Sequence, residues 1–344
     1  MYVGEVSGLI IHALVPQTAI TVVISMMIYI VKDRCMRQKL ILDCDPGHDD
    51  AIALLLAARH PALDLLAITT VAGNQSVEKT SLNALKVCSL AKILDVPVAK
   101  GMNQPLIRPA RHAADIHGDT GMDGPEMPDP TCSLVPQHAV DLLIDLLLHS
   151  AGDIILVPTG PLTNIAAAIR REPAILPKIQ GISLMGGAIS VGNVTASAEF
   201  NIWADPEAAE LVFACGRPIT MVPLEVTHQA VATEEIMQRL HALTGPVPAF
   251  VSDLLHYFAD SYRQVFGFPA PPIHDPCAVA AIIDPEVIAF KEMHVAIECR
   301  GQWTEGRTIC DIYGKSGFPP NARVGYALSF ERFWSLLLDT LQLY

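Results

Sequence analysis

The sequence predicts an α/β fold built on a doubly wound, mostly parallel β-sheet flanked by helices. Beyond residue 38, short apolar runs rich in β-branched residues alternate with longer amphipathic stretches of helical period. Polar residues follow directly after several of the apolar runs. The chain has 344 residues, of which 51% are hydrophobic, enough for one large core. We therefore expect a single domain over residues 39–344.

Five apolar runs are predicted to be buried strands, and five amphipathic stretches are predicted to be helices. The strands cover residues 40–44, 65–71, 154–158, 182–185 and 219–222. The helices cover residues 51–59, 77–94, 138–150, 162–171 and 206–215. Alternation of this kind is typical of a parallel sheet with crossover helices. Ligands bind such sheets outside the carboxyl ends of the strands.

Four carboxylates crowd the end of the first predicted strand. They belong to the segment DCDPGHDD at residues 43–50, which lies between two apolar runs. Anions this close repel one another, and a partly buried strand end makes the repulsion stronger. A bound cation would relieve it. Oxygen ligands without a neighbouring cysteine or histidine cluster favour a hard ion, Ca²⁺ or Mg²⁺, over zinc.

Other interpretations of this segment can be compared by counting. An EF-hand needs glutamate at its twelfth position, but counting from Asp43 or Asp45 gives Leu54 or Leu56. A phosphate-binding loop needs spaced glycines and a lysine, which are not in this segment. Helix capping accounts for Asp49 and Asp50 only. A phosphoryl-transferring Asp-x-Asp pair stays open on this segment alone.

Charge and cysteine usage restrict the class of protein. The net charge is −13, which disfavours nucleic acid as a partner because phosphate binding needs clustered Lys and Arg. The eight cysteines are scattered without a C-x-x-C pair. They are typical of buried thiols in a reducing compartment, so we expect a cytoplasmic protein.

Residues 1–38 form an apolar extension that differs from the rest. Residues 9–31 contain no Lys, Arg, Asp or Glu and approach the length needed to cross a bilayer. If they insert, the basic residues that follow would keep the catalytic part on the cytoplasmic side. The alternative, which we favour, is that Met36 is the true start, because a soluble enzyme would then open on its first strand.

Further polar residues follow the other predicted strands. Asn74 and Thr159 follow the second and third strands, and Gly186-Gly187 follows the fourth, with Asn193, Glu199 and Asn201 beyond it. Each could instead turn the chain or cap a helix. Together they predict a polar cup at one edge of the sheet. Residues 102–137 and 244–272 are predicted to be long loops that cover a site or bind a ligand.

Six separated motifs resemble the nucleoside hydrolases, calcium-dependent enzymes that hydrolyse the N-glycosidic bond of ribonucleosides. The motifs are DCDPGHDDAIALLLA at 43–57, VAGN at 71–74, VPTGPLTNIA at 157–166, LMGG at 184–187, AEFNIWADPEAA at 198–209 and HDP at 274–276. They occur in the family's order from about residue 39 to the C-terminus. The stretch HGDTGMDGP at 117–125 resembles the pyrimidine-preferring members.

The resemblance implies a role for each matching residue. The calcium ligands would be Asp45, Asp50, the backbone carbonyl of Thr159 and Asp275, with Asp45 also the general base. The ribose hydroxyls would be held by Asp49, Asn74, Asn193, Glu199 and Asn201. His117 and His274 would lie beside the base and are the candidates for its protonation. The resemblance also implies a homodimer or homotetramer.

The chemistry of the reaction suits these residue types. The sugar gathers positive charge as the bond to C1′ stretches, so the site needs anions and a poised water. Calcium can hold two sugar hydroxyls with one water and lower the pKa of that water. Direct attack by water on C1′ would invert the anomeric centre.

Three positions depart from the pattern of the family. Phe266 stands where pyrimidine-preferring relatives tend to carry Tyr, and Tyr262, one helical turn earlier, is the candidate substitute that contacts the substrate. We interpret Glu225 and Cys44 as structural and packing changes. The sequence thus predicts a pyrimidine-preferring ribonucleoside hydrolase. The alternatives are a broad-specificity or purine-accepting hydrolase and an inactive protein that binds nucleoside or sugar through a metal.

Overall fold

The computed structural model describes residues 37–344, and residues 38–344 form one compact unit. The proposed membrane segment, residues 9–31, and the alternative start at Met36 therefore lie outside the described residues. Ten strands are described, and their bounds follow. They are β1 Gln38–Cys44, β2 Leu63–Thr70, β3 Val98–Lys100, β4 Ile154–Pro158, β5 Ile179–Met185, β6 Ile219–Val222, β7 Ile288–Met293, β8 Val295–Ile297, β9 Thr308–Cys310 and β10 Ala322–Leu328.

Eight of these strands form one sheet in the order β3-β2-β1-β4-β5-β6-β10-β7. All neighbouring pairs are parallel except β10 and β7, which are antiparallel at the edge. Strands β8 and β9 form a separate antiparallel pair. The chain order reverses between β1 and β4, so the carboxyl ends of these two strands border the crevice where doubly wound sheets bind ligands.

Twelve α-helices accompany the strands in the described residues. They are α1 His48–Arg59, α2 Val77–Leu90, α3 Ala114–His117, α4 Ala139–Leu148, α5 Thr163–Arg171, α6 Phe200–Ala204, α7 Pro206–Phe213, α8 Leu224–Thr227, α9 Glu234–His241, α10 Pro246–Phe266, α11 Pro276–Ile283 and α12 Phe330–Leu341. Two apolar cores lie on the two faces of the sheet. Helix α1 is wholly buried over its first ten residues, because it packs between the sheet and α11.

The predicted fold class is confirmed, and the predicted strands and helices lie where expected with shifts of a few residues at their ends. The prediction of a long loop over residues 244–272 is wrong, because Pro246–Phe266 is a helix of 21 residues. Its buried apolar residues recur at helical spacing, for example Val247, Val251, Leu254 and Phe258. The prolines near its start suit the first turn of a helix, where they remove no intrahelical hydrogen bond.

The other long connection, residues 102–137, contains only the short helix α3 and bends over the carboxyl ends of the strands. Within residues 37–344, no helix is both long and apolar enough to cross a bilayer. The seven described cysteines are free thiols, as expected. Glu225 accepts hydrogen bonds from the backbone N–H groups of Ile189 and Ser190, which agrees with a structural role.

Candidate active site

The acidic segment leaves β1 and enters α1 at the point where the chain order of the sheet reverses. Asp45 lies in the connection, and Asp49 and Asp50 lie in the first turn of α1. Asp275 comes from a distant part of the chain, directly before α11. One carboxylate oxygen from each of Asp49, Asp50 and Asp275 lies within 4.8 Å of the other two. All four carboxylates are buried.

Asp50 is held by donors from three directions. Its Oδ2 accepts hydrogen bonds from the Gly47 backbone N–H and from Asn74 Nδ2, each at 3.1 Å. Its Oδ1 accepts from Thr159 Oγ1 at 2.8 Å. The side chain of Asp50 therefore connects the carboxyl ends of β1, β2 and β4, and its orientation is fixed by all three.

Asp45, like Asp43 two residues before it, has one buried oxygen without a hydrogen-bond partner among the described residues. Its Oδ2 accepts from the Asn74 backbone N–H at 2.6 Å. Its Oδ1 is buried and has no hydrogen-bond partner among the described residues. The backbone N–H of Asp45 donates to Asp50 Oδ1 at 3.3 Å, which places the two acids side by side.

The local electrostatics disfavour four free carboxylate anions at this position. Burial raises the pKa of Asp49 to about 7, with Asp50 adding to the shift. Burial raises the pKa of Asp275 well above its ordinary value, and Asp49, Asp50 and Asp45 add to it. Among the described residues, no Lys or Arg forms an ion pair with any of these acids.

This donor set fits a hard cation. The atoms that could bind a metal are all oxygens, and together they carry excess negative charge. Asp45 Oδ1 is in addition a buried acceptor without a hydrogen-bond partner among the described residues. The three grouped carboxylates include Asp49, whereas the resemblance implies Asp45 as a ligand and Asp49 as a ribose contact. The Thr159 carbonyl lies beside the group and already accepts a hydrogen bond from Asn201 Nδ2 at 2.7 Å.

A cavity of about 260 Å³ opens above the acids. Its lining includes ten of the twelve predicted site residues, which are Asp49, Asn74, His117, Thr159, Asn193, Glu199, Asn201, Tyr262, His274 and Asp275. Asp45 and Asp50 lie beneath this lining. The fold thus brings these ten predicted site residues together around one cavity.

The residues predicted to hold ribose are themselves fixed by backbone contacts. Glu199 accepts from the backbone N–H groups of Gly187 and Asn201, at 2.8 and 2.9 Å. Burial raises the pKa of Glu199 to about 7, while these hydrogen bonds favour the ionised form. Asn193 Oδ1 accepts from the Phe200 backbone N–H at 2.9 Å. Backbone N–H groups in the first turn of α6 therefore fix the side chains of Glu199 and Asn193, which precede the helix.

Aromatic and histidine side chains form the opposite wall. Tyr262 lies in α10, and its hydroxyl is 2.6 Å from His274 Nε2. The other ring nitrogen of His274 is 2.7 Å from Thr227 Oγ1. Phe266 packs against Tyr262 with ring centroids 5.1 Å apart, and both residues line the cavity.

Sequence reasoning missed several residues in and around the cavity. Phe258 lines the cavity, but the segment that contains it was predicted to be a loop; the helical spacing of its apolar residues was the signal. His48 contacts His117. It lies inside the acidic segment 43–50, but roles were assigned from the sequence only to the aspartates of that segment. Arg111 and Trp203 line the mouth of the cavity, where the guanidinium lies 3.9 Å from the indole centroid.

Comparison with known proteins identifies the family. Residues 40–335 match the model of the family described as inosine-uridine preferring nucleoside hydrolase. The chain is 47% identical over 308 residues to the pyrimidine-specific ribonucleoside hydrolase RihB of Escherichia coli O157:H7, covering 90% of this chain and 98% of that protein. It is 46% identical over the same length to RihB of Escherichia coli K12 strain DH10B, with the same coverage.

Solved structures agree with the sequence comparison. The plant nucleoside hydrolase PpNRh1 aligns with a TM-score of 0.83 and 33% identity over 89% of this chain and 99% of that one. The purine-preferring ribonucleoside hydrolase of Gardnerella vaginalis aligns with a TM-score of 0.83 and 34% identity over 88% of this chain and 98% of that one. The protein therefore belongs to the inosine-uridine preferring nucleoside hydrolase family and is an N-ribosyl hydrolase.

Proposed function

We propose that the protein hydrolyses the N-glycosidic bond of pyrimidine ribonucleosides, uridine and cytidine, with calcium as its cofactor. The observation that carries this proposal is the grouping of Asp49, Asp50 and Asp275 beneath a cavity whose other wall holds His117, Tyr262 and His274. A sugar diol suits the acidic side, and a planar base suits the aromatic side.

The preference for pyrimidines is supported by relatives. The proteins named pyrimidine-specific share 46–47% of their residues with this chain, whereas the purine-preferring structure shares 34%. The stretch HGDTGMDGP points the same way. Broad or purine-accepting hydrolysis is the alternative that the substrate test below separates.

Calcium would be held by Asp45, Asp50, Asp275 and the Thr159 carbonyl, with Asp49 adjacent. A calcium ion at this position would hold the 2′ and 3′ hydroxyls of the ribose and lower the pKa of a neighbouring water. Asp45 acts as the general base: its Oδ1 has no protein donor, so it is free to accept a proton from the attacking water. Asn74, Asn193, Glu199 and Asn201 orient the ribose.

The departing base receives its proton on the aromatic side of the cavity. Both ring nitrogens of His274 already have hydroxyl partners, Thr227 and Tyr262. The base therefore takes its proton from the Tyr262 hydroxyl as the C1′–N bond breaks, while His274 orients that hydroxyl, and water returns a proton to the phenolate after the base leaves. Phe266 then packs against the ring of Tyr262 and adds apolar lining to the cavity.

A panel of four nucleosides with and without a chelator tests the proposal. We expect kcat/KM for uridine and cytidine to exceed that for inosine and adenosine by about tenfold or more. A chelator should abolish turnover, and calcium should restore it better than magnesium because the acidic group comes from two distant segments and offers many oxygens.

Three results would contradict the proposal. Faster hydrolysis of inosine than of uridine would favour the purine-accepting alternative. Calorimetric binding of uridine without release of ribose, measured in calcium, would favour an inactive binding protein. Turnover that survives exhaustive chelation would remove the metal from the mechanism.

A further inference from the structure

An arginine and a tryptophan stack on one another at the mouth of the cavity, and the proposed mechanism gives neither of them a role. The guanidinium carbon of Arg111 lies 3.9 Å from the centroid of the Trp203 ring, and both residues line the cavity. The face of an indole attracts a guanidinium at this distance. Arg111 belongs to the strap, a name we give to residues 102–117, which bend over the carboxyl ends of the strands. Trp203 lies in α6, so the stack joins the strap to the wall that is proposed to orient the ribose.

The backbone of the strap is fixed on both sides of Arg111. Before it, the backbone N–H of Leu106 donates to Asp205 Oδ2 at 2.8 Å. After it, the backbone N–H of Ala113 donates to the carbonyl oxygen of Asn74 at 3.2 Å. The strap is therefore tied to α7 and to the end of β2, and these ties place Arg111 at the mouth.

Four side chains of alternating charge fix the guanidinium of Arg111. Arg108 donates to both carboxylate oxygens of Glu207, at 2.6 and 2.8 Å, and its Nη1 lies 2.7 Å from Glu305 Oε2. The other oxygen of Glu305, Oε1, lies 3.1 Å from Arg111 Nη1. Glu305 thus bridges the two arginines of the strap and holds the second against Trp203. The two positive and two negative charges balance one another.

Arg111 keeps N–H groups that the protein does not use. Within residues 37–344, its hydrogen bonds come from Nη1 alone, to Glu305 and, at 3.5 Å, to the carbonyl oxygen of Trp203. Its Nε and Nη2 have no hydrogen-bond partner in the described part of the chain. A guanidinium has five N–H donors and no acceptor, so the unused ones are available to an oxygen of a ligand in the cavity.

A ribonucleoside has three ends, and the proposed function places two of them. The diol lies on the acidic side of the cavity, and the base lies on the side of the aromatic and histidine residues. The C5′ hydroxymethyl group is left with the third side, where Asn193 and Glu199 adjoin Trp203 and Arg111. A hydroxyl both donates and accepts. On this side the Glu199 carboxylate is an acceptor for O5′–H, and the guanidinium of Arg111 is a donor to O5′.

We propose that Arg111 is a substrate-binding residue that donates a hydrogen bond to O5′ of the nucleoside, and that Glu305 is the positioning residue that holds it there. The inference rests on the proposed function, because the orientation of the ribose follows from it. The substituent that fits is an uncharged hydroxymethyl group, since Glu305 already balances the charge of Arg111. The strap thus takes part in recognition of the sugar.

A comparison of uridine with 5′-deoxyuridine tests the contact, because the two substrates differ only at O5′. The ratio of their kcat/KM values is measured for the full chain with calcium, in the wild type and in Arg111→Met. Methionine keeps an unbranched side chain over the Trp203 ring but has no N–H donor. We expect the ratio to fall about tenfold or more in Arg111→Met, because uridine alone loses a hydrogen bond from a charged donor.

Glu305→Gln and Glu207→Gln are a matched pair of variants. Each replaces a carboxylate that pairs with Arg108, but only Glu305 also contacts Arg111. We expect Glu305→Gln to lower the ratio about threefold or more, because a neutral amide holds the Arg111 guanidinium less firmly. The ratio in Glu207→Gln should stay within about twofold of the wild-type ratio.

Equal losses with both substrates in Arg111→Met would overturn the inference, since a purely structural residue affects both alike. A wild-type ratio near one would do the same, as would a larger fall in Glu207→Gln than in Glu305→Gln. If Arg111→Met does not fold, the two glutamine variants still decide. If the wild type hydrolyses no nucleoside, the proposed function fails, and the ratio of dissociation constants for the same two compounds, measured by calorimetry, decides on Arg111 separately.

Discussion

At the scale of the residue, Asp45 combines one carboxylate oxygen that is fixed with one that is left available. Its Oδ2 is fixed by the Asn74 backbone N–H, while its Oδ1 is buried without a donor. A buried acceptor without a partner destabilises a protein by roughly 1–3 kcal/mol. This cost is expected where an acceptor must remain available for a ligand or for a proton.

Asp45→Asn tests this availability. The amide keeps the shape of the side chain but cannot take a proton from water, so we expect kcat for uridine to fall by about a thousandfold. Thermal unfolding should show little destabilisation, because the change removes one of four buried like charges.

The matched control for this change is Asp95→Asn, at an exposed carboxylate. It should leave kcat within the error of the assay. Near-normal uridine hydrolysis by Asp45→Asn would contradict the assignment of Asp45 as the base.

The metal site could be predicted from the acidic segment, because nearby carboxylates repel one another unless a cation binds them. Asp45, Asp49 and Asp50 were found in this way, and the resemblance added Asp275 from more than 200 residues away. His48 could not be found, since its contacts with Asp123 and His117 exist only in the folded chain. A single histidine has no pattern that indicates its partner.

At the scale of elements, the site is assembled by the ends of three neighbouring strands. Asp45 follows β1, Asn74 follows β2 and Thr159 follows β4. Glycines occupy the positions where these connections touch: a Cβ at Gly73 or Gly160 would overlap the Asp45 carboxylate. The backbone at these two glycines thus lies against the Asp45 carboxylate and restricts its position.

Gly160→Ala should disturb Asp45 without adding strain to φ, because the conformation at residue 160 is open to other residues. The methyl group would overlap Asp45 Oδ1, and a carboxylate displaced by about 1 Å can lose about a hundredfold in kcat/KM. Uridine hydrolysis and calcium affinity by calorimetry are the measurements.

Gly181→Ala is the control, since the nearest atom to its Cβ would be 3.5 Å away, an ordinary contact. It lies at the start of β5, far along the strand from the site end. Equal activity in the two variants would mean that Asp45 tolerates displacement and is not the base.

Sequence periodicity located the strands well, because the central strands of a parallel sheet are buried on both faces and appear as continuous apolar runs. Helix α10 was missed because its three glycine and proline residues near the start, Gly245, Pro246 and Pro248, are typical of loops as well as of first helical turns. The edge strand β7 and its neighbour β10 were not predicted either. Their pairing is antiparallel and is decided by contacts between segments about 30 residues apart.

At the scale of the whole molecule, the strand order places the switch point beside the acidic segment. Strands β1 and β4 lie in the middle of the sheet, and both apolar cores extend from it. Asp275 reaches the group because it directly precedes α11, which packs against α1 and against β5. The homodimer or homotetramer implied by the family stays a prediction.

A chain that starts at Met36 should fold and hydrolyse uridine like the full chain. The main sheet, both cores and every proposed site residue lie within residues 38–344, which form one compact unit. We therefore expect the unfolding midpoint to stay within a few degrees and kcat/KM within about twofold. Calcium affinity, measured by calorimetry on both proteins, should also agree because all its proposed ligands lie in the retained part. An insoluble product, or one that binds calcium but loses turnover, would instead assign residues 1–35 a part in folding or in completing the site.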